Sequence, residues 1–302
     1  MKGYKGFEPG LICRGKQYAE NTVFEEEEAE ICSCGMHFCE NPFDVLDYYG
    51  FTNDNGDFNE FAEVEALDEV KTNDNRKYCT KKLKIGAKLS ISKFINACVD
   101  FAIEKTSTCI ADNKISSGDF AQIGSSGDSA QIGSSGYSAQ IGSSGDFARI
   151  GSSGDSAKIG SSGDFAQIGS SGDFAQIGSS GDSARIGSSG DSAKIGSSGN
   201  SAQIGSSGDF ARIGSSGDSA KIGSSGDFAQ IGSSGKDCVI CCAGHNSVVK
   251  AKKGSWITLA EWEYSEEKER YIPKCVKTEF VDGERIKEDT LYKLIDGEFV
   301  EV

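Results

Sequence analysis

Between Ser116 and Gly235 apolar and polar positions recur with a strict period of nine. Thirteen units close to Gly-Ser-Ser-Gly-Asp-(Phe/Ser)-Ala-(Gln/Lys/Arg)-Ile follow one another without insertion, with Ile at 123, 132 and every ninth position up to 231. A short fixed period marks a solenoid, in which each unit buries its apolar face only by stacking on its neighbours. In Asp146–Ile150, strand alternation sets Ala148 and Ile150 on one face and Phe147 and Arg149 on the other. Ala and Ile do not vary among the units, whereas the Phe/Ser and Gln/Lys/Arg columns do. The constant pair is therefore assigned inward and the variable columns outward. Gly-Ser-Ser-Gly is read as the turn, because Gly reaches positive φ and Ser bonds nearby backbone.

One nine-residue arm cannot close a circuit. Two arms give an eighteen-residue coil, a flattened β-roll; three arms give a triangular coil, the alternative. With two arms the thirteen units make six and a half coils, roughly 30 Å of rod at the spacing of parallel strands. The core is thin, with Ile, Ala and one Ser per arm, and both ends need caps. The predicted fold is mainly β: a parallel β-solenoid (β-roll or β-helix) with an N-terminal α+β cap domain and a C-terminal antiparallel β cap. The expected domains are residues 1–112, 113–253 and 254–302.

In the N-terminal segment, Gly3–Phe7, Leu11–Cys13, Ala29–Cys32 and Phe61–Ala66 read as strands. Tyr78–Ile85 is the expected partner of the last. Asn41-Pro42 opens a short helix. Ile95, Val99 and Ile103 recur at helical spacing within Ser92–Thr106, a helix assigned as the N-terminal cap of the rod. After the last regular unit, Lys236–Cys242 and Asn246–Lys250 read as one degenerate coil. Trp256–Trp262, Val276–Phe280, Leu291–Leu294 and Phe299-Val300 then form an antiparallel meander, with turns at Asp282-Gly283 and Asp296-Gly297. That meander is assigned to the C-terminal cap or to a dimer contact.

Formal net charge is −15, and the repeats supply eleven Asp against six Lys or Arg. Such a chain is expected to avoid bare nucleic acid and anionic membranes. Eleven Cys, an odd number, and a start at Met1–Lys5 with no apolar run point to a reducing, cytoplasmic setting with free thiols.

Several motifs resemble a known pattern. Tyr4-Lys5-Gly6-Phe7, Cys13–Tyr18, Cys34-Gly35-Met36-His37-Phe38-Cys39-Glu40-Asn41-Pro42 and Phe61–Ala66 resemble an uncharacterised domain family of bacteria and bacteriophages. In that family the domain is often followed by Ser/Gly-rich nonapeptides and then by a closing segment like Gly254–Trp262. The resemblance implies the three-part organisation but no activity. The repeats also resemble ice-nucleation repeats loosely, departing in period (nine, not sixteen) and in lacking a Thr-x-Thr ladder.

Candidate chemistry is sparse. Cys32, Cys34, His37 and Cys39 are the most metal-like group, but lack the second distant Cys pair of a zinc site, so buried thiols are the simpler reading and no metal or cofactor is assigned. The cluster Cys238, Cys241, Cys242 and His245 is treated alike. The repeat Asp sits one position early for the calcium nonapeptide and is read as accepting turn N–H bonds. Arg14, His37, Glu63 and Glu65 resemble the Arg/His-plus-Glu set of ADP-ribosyltransferases, without the Ser-Thr-Ser strand.

The best surface candidates are Phe120, Phe147, Phe165, Phe174, Phe210 and Phe228, with Arg149, Arg185 and Arg212. With two arms per coil, Phe147 and Phe165 fall on one side and the other four on the opposite side. The expected function is a non-enzymatic scaffold that binds itself or another protein. The alternatives are an acidic DNA mimic that inhibits a nucleic-acid-binding protein and an ADP-ribosyltransferase-like N-terminal domain carried on a solenoid.

Overall fold

The computed structural model describes residues 1–53, 57–106 and 113–302. The expected boundary at 112 lies outside the described residues. The rod has two arms per coil. β10 (Asn113–Ser116) precedes a run of four-residue strands that starts with β11 (Gln122–Ser125) and β12 (Gln131–Ser134). The run continues every nine residues to β23 (Gln230–Ser233), then to β24 (Val239–Cys242) and β25 (Val248–Lys250). Alternate strands belong to different sheets, and each pairs in parallel with the strand eighteen residues on, Ile over Ile and Ser over Ser. The sheet holding β11 is called the odd sheet and that holding β12 the even sheet.

The strand frame differs from the expected one. The strand is Arg149–Ser152 and not Asp146–Ile150, and the turn runs through Ser153–Ala157. The Phe/Ser position lies in the turn at positive φ (57° at Phe147, 58° at Ser156), a region that disfavours side chains with a Cβ. Neighbouring coils hold it there. Phe147 N–H donates to Asp164 O at 2.9 Å, and Asp164 N–H donates to Asp146 Oδ1 at 2.8 Å. Phe therefore stands at the edges of the flattened rod and not beside Gln/Lys/Arg on a strand face. Ala, Ile and the first Ser of each unit do point inward, with Ala148, Ile159 and Ser161 at 1% exposure or less.

The repeat's two glycines do different work. A Cβ on the second, such as Gly181, would lie 2.0 Å from the carbonyl oxygen of Gly163 one coil earlier. Only Gly permits coils to stack that closely. The first glycine faces outward from the strand.

The rod extends beyond the expected end at 253. The first half of β26 (Trp256–Ser265) pairs in parallel with β24, Val239 with Trp256 through Cys242 with Leu259. The closing strands are not one meander. β27 (Arg270–Phe280) pairs with β26 and extends the even sheet, while the hairpin of β28 (Tyr292–Ile295) and β29 (Glu298–Glu301) extends the odd sheet from β25. Large buried residues, Leu259, Val281, Ile286, Tyr292 and Leu294, join the Ile column and close this end.

The N-terminal region is an antiparallel sheet with two helices. Its strands are β1 (Lys2–Phe7), β2 (Ile12–Cys13), β3 (Lys16–Gln17), β4 (Val23–Glu25), β5 (Met36–Cys39), β6 (Glu60–Ala66), β7 (Val70–Thr72), β8 (Lys77–Thr80) and β9 (Lys82–Leu89). Seven of them form one sheet in the order β4-β9-β6-β1-β5-β8-β7, and β2 and β3 form a separate hairpin. Ala29–Cys32 is not a strand but a tight turn, with Cys32 at φ 65°. The expected Tyr78–Ile85 strand breaks at Lys81: β9 pairs with β6, and β8 pairs with β5. The helix α1 (Pro42–Val45) is capped by Asn41, whose side chain accepts from Phe43 N–H.

The helix α2 (Ile91–Thr106) buries Phe94, Ile95, Cys98, Val99 and Ala102 at helical spacing. It is not an end cap. It lies along the outer face of the odd sheet, running from β11 past four further rungs of that sheet. Glycine decides this placement. The odd-sheet column Gly124, Gly142, Gly160, Gly178 has no side chains in the way, so Ala102, Val99, Ile95 and Phe51 reach the sheet backbone.

Candidate functional site

The variable Gln/Lys/Arg column separates by sheet. On the odd sheet it faces the N-terminal region. Lys158, 2% exposed, pairs with Asp47 at 2.5 Å and lies 4.0 Å from Asp44. Gln140 donates to Asp44 and accepts from Asn41. Gln176 donates to the carbonyl of Leu46, and Lys194 lies against Gly50. Arg76 closes the network with bonds to Asp44 and Asp47. Arg212, expected as binding surface, is on this covered sheet.

The even sheet carries the same column in solvent. Gln131, Arg149, Gln167, Arg185, Gln203 and Lys221 are all exposed, and cation alternates with amide. Adjacent rungs are ~4.8 Å apart, so alternation spaces the cations at ~9.6 Å and relieves their mutual repulsion. Beside them runs a second column, Gly151, Gly169, Gly187 and Gly205, where a Cβ would meet nothing within 4 Å. Together with the edges of Ile132 to Ile222 they form an open trough along the rod.

The Phe residues form two edge columns, as two arms per coil require. Phe147 stacks on Phe165 at 5.1 Å and 6°. On the opposite edge Phe210 stacks on Phe228, whose ring meets His245, and His245 stacks on Tyr271 of β27. The Asp columns line the same edges, each carboxylate bonded to the N–H of the turn one coil later, such as Asp146 to Asp164 and Asp173 to Asp191.

In the N-terminal region, Arg14 and His37 line one cleft of about 260 Å3 together with Lys5, Cys13, Tyr18, Cys34, Tyr48, Tyr49 and Lys77. Arg14 is not on a strand. It occupies the two-residue turn of the β2–β3 hairpin at φ 50°. Glu63 and Glu65 line a different depression, with Lys2 and Lys84. The proposed cysteine ligands diverge: Cys32 is exposed and takes a bond from Lys77, while Cys39 is buried, its thiol pushed up to about 12 chiefly by burial. Among the described residues no three His, Cys, Asp or Glu side chains form a metal-ligand set. Cys238 and Cys242 point into the rod while Cys241 points out.

Sequence reasoning missed Lys5, Lys77 and Lys158, since a lone Lys in a polar column or on a strand reads as solvated. It also missed the division of the two glycine columns. The sequence did carry one unused signal, the regular Gln-Arg-Gln-Arg-Gln-Lys order at every second unit.

No helix among the described residues is long and apolar enough to cross a membrane. No curated protein and no solved structure matches the chain. Residues 1–97 match the model of a family described as a domain of unknown function (DUF7666), which places the N-terminal sheet with an uncharacterised domain family.

Proposed function

We propose that the protein is a non-enzymatic scaffold whose even sheet docks a partner protein, as its odd sheet docks the chain's own N-terminal region. One observation carries this reading: the bare glycine column of the even sheet. Glycine weakens a strand unless another backbone or a ligand must approach closely. On the odd sheet that approach is made by α2. The even sheet offers the same floor, flanked by Arg149, Arg185 and Lys221. Its best-fitting occupant is a helix with a stripe of small apolar residues and flanking carboxylates. The stacked Phe edges are the second surface, favoured by their exposure of 44–61%.

The test is capture from bacterial lysate, a source chosen from the family resemblance, with a photo-cross-linking residue in place of Gln203. Three forms of the full chain are compared: unmodified, Gly151→Val with Gly187→Val, and the six repeat Phe changed to Ser. A cross-linked partner segment that is lost only in the glycine variant supports docking on the even sheet. Loss only in the Phe variant moves the site to the edges. Capture unchanged in both, or no cross-link at all, sinks the proposal.

A further inference from the structure

We propose that the cleft between β1 and β5 binds a small, multiply charged anion of the phosphate-ester class. The cleft exists because the sheet opens there. β1 pairs with β6 over six residues but meets β5 only at Tyr4 and Cys39. In the gap, Lys5 Nζ donates to the carbonyl of His37 at 2.8 Å and lies 5.5 Å from the ring centroids of Phe7 and Tyr18. Lys5 is 5% exposed and has no carboxylate partner among the described residues. A buried charge is ordinarily paired, because its desolvation is otherwise uncompensated.

Two further cations line the same cleft without an ion pair among the described residues. Arg14 sits on the rim, and Lys77 contacts the Cys32 thiol and the Tyr48 ring. Lys16, by contrast, is neutralised by Glu26 at 2.6 Å. Three basic side chains therefore converge in a chain of net charge −15; burial lowers the pKa of Lys5, so an incoming anion is what would hold its charge. His37 lies within their field. Burial lowers its pKa to about 4, and Lys5, Lys77 and Arg14 add to the effect. It is neutral near pH 7, and its Nε2 accepts from Cys32 N–H. A monoanion would leave two of the three cations unmatched, whereas a phosphate ester carries two charges and suits the Arg14 fork. Tyr48 and Tyr49 stand on the walls, with the Tyr49 hydroxyl donating to Cys13 Sγ at 3.2 Å.

The experiment is calorimetric titration of the full chain with inorganic phosphate, adenosine monophosphate and succinate. We expect saturable binding of the phosphate-bearing probes at one site per chain. Lys5→Met and Arg14→Gln should each weaken it on the order of tenfold or more, as loss of a charge-assisted hydrogen bond does. Arg14 is exposed on a turn, so its variant tests the site even if Lys5→Met fails to fold. Bound ligand should also slow alkylation of Cys13, which lines the cleft, and leave that of exposed Cys241 unchanged. Tighter binding of succinate than of either phosphate overturns the ligand class. Equal binding in folded variants, or no saturable binding of any probe, overturns the site.

Discussion

The two sheets of the rod are built from one nonapeptide, yet one is buried and the other bare. On the odd sheet, Gly178 lies under Phe51 and Ile95; on the even sheet, Gly187 faces open space. Lys158 is enclosed with Asp47, while Arg149, Arg185 and Lys221 reach solvent. The difference shows that the repeat specifies the inside of the rod and leaves its outside to be assigned by what docks there. Ile, Ala and the first Ser are held by neighbours one coil away. On the sheet faces, the Gln/Lys/Arg position is where the units differ with their surroundings.

The largest effect belongs to the second glycine, which treats both sheets alike. Gly181→Ala and Gly172→Ala each set a Cβ against the preceding coil's carbonyl, at 2.0 and 2.3 Å, and each should cost more than about 4 kcal/mol in denaturant unfolding. A clear inequality between them would mean that the docked region supports its own sheet. Lys158→Ala comes next. It removes the buried ammonium from Asp47, which keeps Arg76 as its partner, and should cost about 1.5–3 kcal/mol, whereas Lys221→Ala should stay within about 0.5 kcal/mol. Equal losses would remove the distinction between covered and free columns.

Gly178→Val meets Phe51 at 2.7 Å and should cost about 1–3 kcal/mol through overpacking. Acid offers a test without mutation. His37 is held neutral in the fold, with its pKa lowered to about 4 from an ordinary 6.5. Its contribution is complete above pH 6.5 and is lost as pH falls towards 4, because the unfolded chain takes up the proton first. Thermal melts over that range should show the N-terminal region loosening, and His37→Gln should flatten the slope. An unchanged slope would show that His37 does not carry it. The smallest effect has the opposite sign: Gly187→Val should raise stability by about 0.5–1 kcal/mol, since a strand residue with a side chain replaces Gly in open space. Destabilisation there would show that the even-sheet glycines serve the fold of the rod itself.

Much of the rod was legible because periodicity and invariance expose an inward face directly. Ala148 and Ile150 stood out as constant, and two arms per coil was the preferred reading over the three-arm alternative. The strand frame was not legible, because Phe147 at positive φ breaks the preference that places aromatic residues on strands. The outer surface was hidden for another reason. Gly178 and Gly181 look equivalent in sequence, but one is constrained by a coil eighteen residues away and the other by Phe51 and α2. Contacts such as Ser180 with Asn96 and Lys250 with Asp57 join distant parts of the chain, and no local pattern announces them. Lys5 was invisible because an alternating strand with one Lys reads as half-solvated.

Alternation of arms between the two sheets has a consequence for how such a gene can change length. Repetitive coding sequence gains and loses units by slippage, and here the outcome depends on parity. Loss of one unit ahead of Lys158 would turn every later arm to the opposite sheet, sending Lys158 into solvent and an even-sheet residue towards Asp47. Loss or gain of two units restores each arm to its side. A pair inserted after the stretch under α2 would lengthen each sheet by one rung, ~4.8 Å, and would carry Lys250 away from Asp57 while α2 keeps its seat. Four units would be needed to add one more cation to the Gln-Arg alternation. Inheritance of rod length should therefore run in even steps, with the docked region acting as the reader that rejects odd ones.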